Sequence, residues 1–387
     1  MKRLRIGVVY GGRSGEHEIS LASAAAVFAN LDRQRYEPVP IRIEKDGRWR
    51  LADRPPSAAS AAEVIDQMKS DAARAARGGR DVFLPPRPGA DTLVIIDHRS
   101  SAPDAAEAPV ALTGLSLDVI FPILHGPLGE DGTIQGLLEL ANVPYVGCGV
   151  LASAVAMDKS MTKTVCRAHG LHVPDWITIA RREWLSDAAG VTARIERALA
   201  YPIFVKPASL GSSVGISKVT EAQALAPALD LAADFDLKLI VESAVPHARE
   251  IECAVLGNEA AEASRPGEIV PAREFYDYEA KYLDSGSRTI VPAKLTERQS
   301  SEIQRQAIAA FRAIDGAGMA RVDFLMARPS GKLYLNEVNT IPGFTTISMF
   351  AKMWEASGVP YASLLDRLIA LAIDRHREKQ DLKTSAW

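Results

Sequence analysis

The segment ARVDFLMARPSGKLYLNEVNTIPG, Ala320 to Gly343, constrains what this chain can fold into more than any other stretch. Two runs of alternating apolar and polar residues flank a Pro-Ser-Gly turn, which is the pattern of a β-hairpin. Residues two apart in a strand share a face. Arg321, Asp323 and Leu325 therefore point one way, and Val322, Phe324 and Met326 the other. Leu335, Glu337 and Asn339 likewise share a face, opposite Tyr334, Asn336 and Val338. With the turn centred on Ser330, Asp323 faces Glu337, Arg321 faces Asn339 and Leu325 faces Leu335. A slip of one residue would turn the two polar sets to opposite sides.

Two carboxylates about 4 Å apart repel by about 4 kcal/mol at an effective dielectric of about 20, so burying such a pair calls for a cation between them. Hard oxygen donors with an amide beside them suit Mg²⁺, which is normally shared with nucleotide phosphates. The alternative is a solvated face on an edge hairpin. The metal reading leads because the carboxylates sit among Val, Phe, Leu and Tyr rather than in a polar run.

At 387 residues the chain has room for two or three domains with ample core. A net charge of −3 gives no footing for a nucleic-acid or anionic-membrane partner. Cys148, Cys166 and Cys253 are too few and too scattered for a disulfide framework or a zinc site. No apolar run reaches membrane-spanning length. The opening MKRLRIGVVYGG has only a short apolar run ending in Gly-Gly, unlike a signal peptide, so a cytoplasmic location is expected.

Leu4 to Tyr10 reads as a buried strand, followed by a Gly-rich turn and an Ala-rich helix from about Glu18 to Leu31. A strand over Tyr36 to Ile43 completes a βαβ unit, and LDVIFPILHG at 117–126 reads as a further buried strand. Between them, 52–113 is rich in Ala, Pro and Arg and reads as an elaboration, partly loop, with a helix near Ala61 to Ala76. One helix is expected from Ser153 to His169, strands at YPIFVKP and KLIVES, a helix over Tyr361 to Asp374, and a frayed tail after it.

YPIFVKPASLGSSVGISKV, 201–219, reads as strand, Gly/Ser loop, strand. Such a loop offers backbone N–H groups and hydroxyls to a phosphate, with Gly211 and Gly215 permitting close approach. Lys206 precedes the glycines, so this is not a Walker A loop but a flap with a point charge beneath it; a plain Gly-rich turn is the other reading. In KLIVESAVPHAREIECAVLG, Glu242 at a strand end and Glu250 after the loop suit a nucleotide's exocyclic amine or ribose hydroxyls, or are ordinary exposed glutamates. Lys159 in AMDKSMTK reads either as a phosphate contact or as a solvated helix lysine.

Taken together, VVYGGRSGEHEISLASA, FPILHGPLGEDGTIQGLLELANVPYVG, AMDKSMTK, FVKPASLGSSVGISKV, EIECAVLGN, EFYDYEAKYLD, ARVDFLM and LNEVNTIPGFTTISMF resemble the ATP-grasp carboxylate–amine ligases, and closely the D-alanine–D-alanine ligases. The strings cover nearly the whole chain outside about 45 to 113. The resemblance implies an α/β and α+β fold: a Rossmann-like, pre-ATP-grasp domain at 1–150, then a two-lobed ATP-grasp fold at 151–245 and 246–375, with a tail at 376–387. It implies ATP-dependent joining of two D-alanines through a D-alanyl phosphate, for peptidoglycan precursor synthesis, with ATP as substrate, two Mg²⁺ ions (Mn²⁺ as a substitute) and a homodimer.

By the same resemblance Lys159, Lys206, Ser213, Glu242, Val245, Glu250, Lys281 and Asn336 are ATP-binding, with Phe275 and Leu325 packing near the adenine. Asp323, Glu337 and Asn339 match the metal ligands, and Arg321 the arginine that stabilises the tetrahedral oxyanion. Glu16 matches the carboxylate holding the first D-alanine's ammonium; read from the sequence alone it is a helix-dipole partner, and both can hold. Ser212, Tyr282, Gly343, Ser348 and Met349 match the remaining amino-acid contacts, and His125 a position near the substrate or a capping or core histidine. Tyr282, with Ser212 and Glu16, accompanies dipeptide rather than depsipeptide formation in the family.

The sequence leaves three other readings. A different ATP-grasp ligase, including one forming D-Ala-D-Ser or D-Ala-D-Lac, would change the residues around Glu16 and Tyr282. A nucleotide-dependent oxidoreductase is suggested by VVYGGRSG after a strand, but the spacing is not G-x-G-x-x-G. A non-catalytic ATP-binding protein would lack some of the metal ligands or Arg321.

Overall fold

Leu4–Gly11 (β1) is almost wholly apolar and buried, as a strand flanked on both sides by parallel partners must be. The computed structural model describes residues 2–65, 80–89, 92–98, 110–271, 288–345 and 347–383. After β1 come α1 (His17–Asn30), β2 (Tyr36–Ile43), β3 (Trp49–Leu51), β4 (Arg80–Phe83), β5 (Leu93–His98), β6 (Val110–Leu115) and β7 (Val119–Ile123). They form one sheet in the order β6-β5-β4-β3-β2-β1-β7. Only β2, β1 and β7 run parallel; from β3 to β6 the pairing is antiparallel.

The described part of 52–113 is therefore more regular than expected. Its short apolar runs, such as LVII in β5, find partners in one another and extend the sheet. Of the helix expected near Ala61 to Ala76, residues 61–65 are helical and the rest lies outside the described residues.

Thr133–Leu140 (α2) leads to α3 (Val150–Met157) and α4 (Lys159–Ala168). The single helix expected over Ser153 to His169 is thus two. Asp158 breaks it with extended backbone and N-caps α4, its carboxylate accepting from the N–H groups of Ser160 and Met161. A four-stranded sheet follows, built from β8 (Trp176–Ala180), β9 (Ile203–Pro207), β10 (Ser217–Val219) and β11 (Lys238–Ser243) in the order β10-β9-β11-β8. Helices α5 (Arg181–Ser186), α6 (Ala188–Ala198) and α7 (Leu225–Ala233) accompany it. Its core, including Ile179, Ile195, Val205, Leu229 and Val241, is drawn from this unit alone.

The third sheet runs β15-β14-β12-β16-β17, with β13 on β12. Its strands are β12 (Arg249–Gly257), β13 (Glu262–Ala263), β14 (Gly267–Val270), β15 (Arg288–Ile290), β16 (Gly318–Met326) and β17 (Leu333–Asn339). The capping box of Thr296 and Gln299 opens α8 (Glu297–Ala313), which covers one face of this sheet.

The β16–β17 hairpin forms with Arg321 opposite Asn339 and Asp323 opposite Glu337, as expected. Leu325, however, pairs with Tyr334 rather than Leu335. The ladder shifts between Asp323 and Phe324, so that Asn336 is the extra residue of a β-bulge. The bulge also separates Leu335 from the face of Glu337 and Asn339. Leu335 lies in the core with Val322, Phe324 and Val338.

Met349–Ala356 (α9) and Tyr361–Gln380 (α10) close the chain. Of the tail expected after Asp374, residues 375–380 instead continue helix α10, with Arg375 donating to the carbonyls of Tyr145 and Gly147 and Gln380 to Asn142, and 384–387 lie outside the described residues. Helices α9 and α10 share one core with α1, β1 and β7, including Tyr10, Phe28, Phe121, Phe350, Leu364 and Leu368. Phe344 sits at its centre, its ring 5.9 Å from Phe121 and 5.4 Å from Phe350. Among the described residues, no single helix is long and apolar enough to cross a membrane.

Candidate active site

The face of the third sheet that turns away from α8 carries the polar half of the hairpin. Antiparallel partners lie on the same face, so Glu250 beside Leu325 and Glu252 beside Asp323 extend that face from β12. Arg321 spans Asp323 with both nitrogens of its fork, at 2.8 and 2.6 Å, and lies 3.3 Å from Glu252. Asn339 donates to Asp323 over 2.9 Å. Burial disfavours the Arg321 cation, but Asp323 and Glu252 outweigh that and hold its pKa well above the usual value.

Lys159, first residue of α4, donates to the carbonyl of Leu210 in the Gly/Ser loop over 2.6 Å and lies 3.6 Å from Glu337. Lys206 on β9 is bonded to Glu242 on the neighbouring β11. Beneath them Lys163 of α4 lies 3.0 Å from the same carboxylate. Burial alone would raise the Glu242 pKa; Lys163 and Lys206 together bring it down to about 2. Val245 follows in the half-buried link from β11 to β12.

The loop between β9 and β10 reaches over to the first sheet. Ser212 and Ser213 both adopt left-handed backbone, with φ of 53° and 58°, and Gly215 follows at 69°. This turn aims the Ser212 hydroxyl at Glu16, the residue at the N-terminus of α1, to whose carboxylate it donates. Glu16 is walled by glycines: a Cβ on Gly126 would lie 2.9 Å from its Oε2, and one on Gly211 3.5 Å.

Behind Glu16 the HG turn is bonded to the chain that leaves β17. His125 Nδ1 lies 3.0 Å from the Ile341 carbonyl, which makes Nδ1–H the donor. Its Nε2 then accepts from Ser23 Oγ at 3.2 Å, while Ser23 accepts from the Phe344 N–H at 3.2 Å. Burial pushes the His125 pKa down to about 4, in keeping with a neutral ring. Glu130 accepts from the N–H groups of Gly126 and Ile341 at 2.8 and 3.2 Å. Burial, and then the charge of Glu16, push its carboxyl up to about 8. Ser348 stands at the start of α9, 2.7 Å from the Thr345 hydroxyl, and a Cβ on Gly343 would lie 3.0 Å from Ser348 Oγ. Met349 follows Ser348 on α9, its side chain buried in the shared core.

The structure thus brings Lys159 to Glu337, Lys206 to Glu242, Arg321 and Asn339 to Asp323, and Ser212 to Glu16. Phe275, Lys281 and Tyr282 lie outside the described residues. Three residues went unassigned in the sequence. Glu252 was readable, because it follows Glu250 by two on the same strand. Lys163 and Glu130 were not, since what makes each distinctive is burial against distant partners. Cavities of about 350 Å³ by His169, His172 and Arg305 and about 490 Å³ by Arg249, Lys294 and Arg328 touch none of the candidate residues.

The donor set of Asp323, Glu337 and Asn339 consists of hard oxygens and fits a small divalent cation with open positions for phosphate or water. Among the described residues no three His, Cys, Asp or Glu side chains converge on one point, so such a site rests on two carboxylates and an amide.

Comparison with known proteins decides the family. The model of the family described as D-ala D-ala ligase N-terminus matches residues 5–148, and that of D-ala D-ala ligase C-terminus residues 165–370. The chain belongs to the D-alanine–D-alanine ligase family. It is 47% identical to the D-alanine–D-alanine ligase of Heliobacterium modesticaldum over 380 residues, covering 98% of this chain and 97% of that one. To the D-alanine–D-alanine ligase A of Bradyrhizobium diazoefficiens it is also 47% identical, covering 98% of each. Among solved structures it resembles the D-alanine–D-alanine ligase from Coxiella burnetii, at TM-score 0.78 and 41% identity, covering 98% of this chain and 97% of that one. It also resembles the VanG D-Ala:D-Ser ligase from Enterococcus faecalis, at TM-score 0.80 and 33% identity over 96% and 100% of the two chains. The fold is the ATP-grasp fold of these D-alanine–D-alanine ligases, and the chain is a ligase.

Proposed function

We propose that this ligase joins two D-alanines at the expense of ATP, as a step in making peptidoglycan precursors. A carboxylate is a poor acyl electrophile because its oxide does not leave. Transfer of the γ-phosphoryl group of ATP to the first D-alanine's carboxylate gives an acyl phosphate and ADP. The amine of the second D-alanine then attacks the carbonyl, a C–N bond forms, the C–O bond to phosphate breaks, and the amine's surplus proton is lost. Water must be kept from the acyl phosphate.

In this reading Lys159 and Lys206 bind phosphate oxygens, with Ser213 on the loop above them. Glu242 and Glu250 take the adenine amine and the ribose, and Val245, Leu325, Asn336, Phe275 and Lys281 complete the nucleotide site. Asp323, Glu337 and Asn339 would hold Mg²⁺, which when bound draws charge from the phosphates. Glu16 holds the first D-alanine's ammonium, while Arg321 faces the developing oxyanion, where loss of one donor typically costs about 10²–10³ in kcat. Tyr282 with Ser212, and Gly343, Ser348 and the Met349 backbone, receive the second amino acid.

The observation that carries this reading is the hydrogen bond from Ser212 to Glu16. It brings the loop that follows Lys206 against the carboxylate at the start of α1, so nucleotide and amino acid share one cleft.

A second reading, ligation of D-serine onto D-alanine, is favoured by the likeness to the D-Ala:D-Ser ligase from Enterococcus faecalis. Mass spectrometry of purified protein with Mg-ATP and D-alanine, with D-serine, D-lactate and L-alanine in parallel, separates the two. D-Ala-D-Ala with one ADP and one phosphate per product is expected. A larger yield of D-Ala-D-Ser would favour the second reading, and nucleotide turnover without either product would overturn both.

A further inference from the structure

Lys163 has no part in the roles above, yet it is fully buried, with 0% of its surface exposed. Desolvation presses a buried lysine towards its neutral form, and that pressure acts here against the pull of Glu242. A core position filled for packing alone is served as well by an apolar side chain. The ammonium is kept for what it touches. Its Nζ lies 3.0 Å from Glu242 on β11 of the four-stranded sheet, and 3.4 Å from the Asn336 carbonyl at the bulge of β17 in the third sheet. One side chain on α4 therefore binds both sheets that flank the cleft.

The arrangement also sets charge. Lys206 lies on the other side of Glu242 and is the more exposed of the two cations, its side chain at 11% against 1% for Lys163. With Lys163 answering the carboxylate from below, one unit of positive charge is left over on the cleft side. Without it, Lys206 is fully committed to Glu242.

We infer that Lys163 is a positioning residue for the nucleotide: it pins Glu242 and the Asn336 bulge at fixed separation and releases Lys206 for a polyphosphate. This rests on the nucleotide site proposed above. Lys163 touches neither amino-acid substrate, so its loss acts on ATP alone.

The test compares wild type with Lys163→Met and Lys163→Arg, measuring ATP affinity by titration calorimetry with Mg²⁺ and KM for both substrates. Removing the charge-assisted contacts is expected to weaken ATP binding about tenfold or more in Lys163→Met, with KM for D-alanine within about twofold and Lys163→Arg recovering much of the loss. Lys163→Gln keeps a donor for the Asn336 carbonyl without the charge and serves if the methionine variant does not fold; it is expected to weaken ATP by a similar factor. A folded Met or Gln variant with wild-type ATP affinity, or one weakened equally for ATP and D-alanine, overturns the inference. If wild type itself fails to bind Mg-ATP, the nucleotide site is wrong and the inference falls with it, an outcome visible before any variant is made.

Discussion

Deleting Asn336 tests the bulge directly. In the observed ladder Asp323 pairs with Glu337 and Phe324 with Leu335, so Asn336 is the residue without a partner across the strands. Removing it joins Leu335 to Glu337 in an unbroken ladder, with both pairs kept and both faces preserved. The identifiable loss is the Asn336 carbonyl that accepts from Lys163 over 3.4 Å. A hydrogen bond to a charged group contributes about 1.5–3 kcal/mol, and this long one belongs near the lower end. If instead the ladder had no bulge, the deletion would shift everything on one side of it by one residue. Leu333 and Leu335, each at most 6% exposed, would turn outward at about 1.5–3 kcal/mol each, a loss of about 3–6 kcal/mol before any strain. Urea denaturation gives the difference, and hydrogen exchange of the β16–β17 amides shows whether the ladder survives. A loss of about 2 kcal/mol with protected amides is expected. A loss above about 4 kcal/mol, or unprotected strands, would refute the register-correcting role given to Asn336.

Three further outcomes follow from the site. Glu337→Gln should abolish ATP-dependent ligation and leave the fold intact by circular dichroism; near-normal turnover would remove Glu337 from the metal site. Gly126→Ala forces a Cβ to 2.9 Å from Glu16 at a φ of +74°, a left-handed position costing about 1–2 kcal/mol for a side chain, and should raise KM for D-alanine several-fold while leaving KM for ATP alone. His125 has its folded-state pKa lowered from 6.5 to about 4, so as pH falls the unfolded chain takes up the proton first. Its contribution to stability is present above 6.5 and lost as pH falls towards 4, by up to about 3 kcal/mol. His125→Asn keeps a donor for Ile341 and should flatten that slope in denaturation midpoints taken from pH 4 to 7.5; an unchanged slope would assign the acid sensitivity elsewhere.

What the sequence made legible was local. Alternation gave the faces, and a turn centred on Ser330 placed Asp323 opposite Glu337 and Arg321 opposite Asn339. That register misplaced Leu335, although the apolar positions Leu333, Leu335 and Val338 step by two and then by three, which is the trace a single inserted residue leaves. Asp158 was similarly readable as a cap, and the two-helix break follows from it. The strands within 52–113 were harder: each is short, and each is stabilised by neighbours whose pairing no local pattern states. The helix past Asp374 owes its order to Arg375 and Gln380 reaching the segment around Tyr145. Lys163, Glu130 and the His125–Ile341 pair depend on contacts between residues far apart in the chain, as in the 216-residue separation of His125 and Ile341. Composition carries no record of these.

The apolar cores and the ties between them determine which part of the enzyme can move. The first sheet is fused to α9 and α10 through the ring of Phe344, which ties Glu16, His125, Gly343 and Ser348 to one shared core. The four-stranded sheet has a core of its own, with Trp176 of β8 packed against the core of the third sheet. Lys163 ties the Glu242 end of this unit to the Asn336 bulge, so a motion that opens the cleft has the Gly/Ser loop as its moving part, carrying Ser212 and Ser213 together away from Glu16. The loop's grip on the nucleotide and its contact with Glu16 would then be made and broken in a single stroke, and an acyl phosphate would meet solvent only when the loop has also let go of the nucleotide.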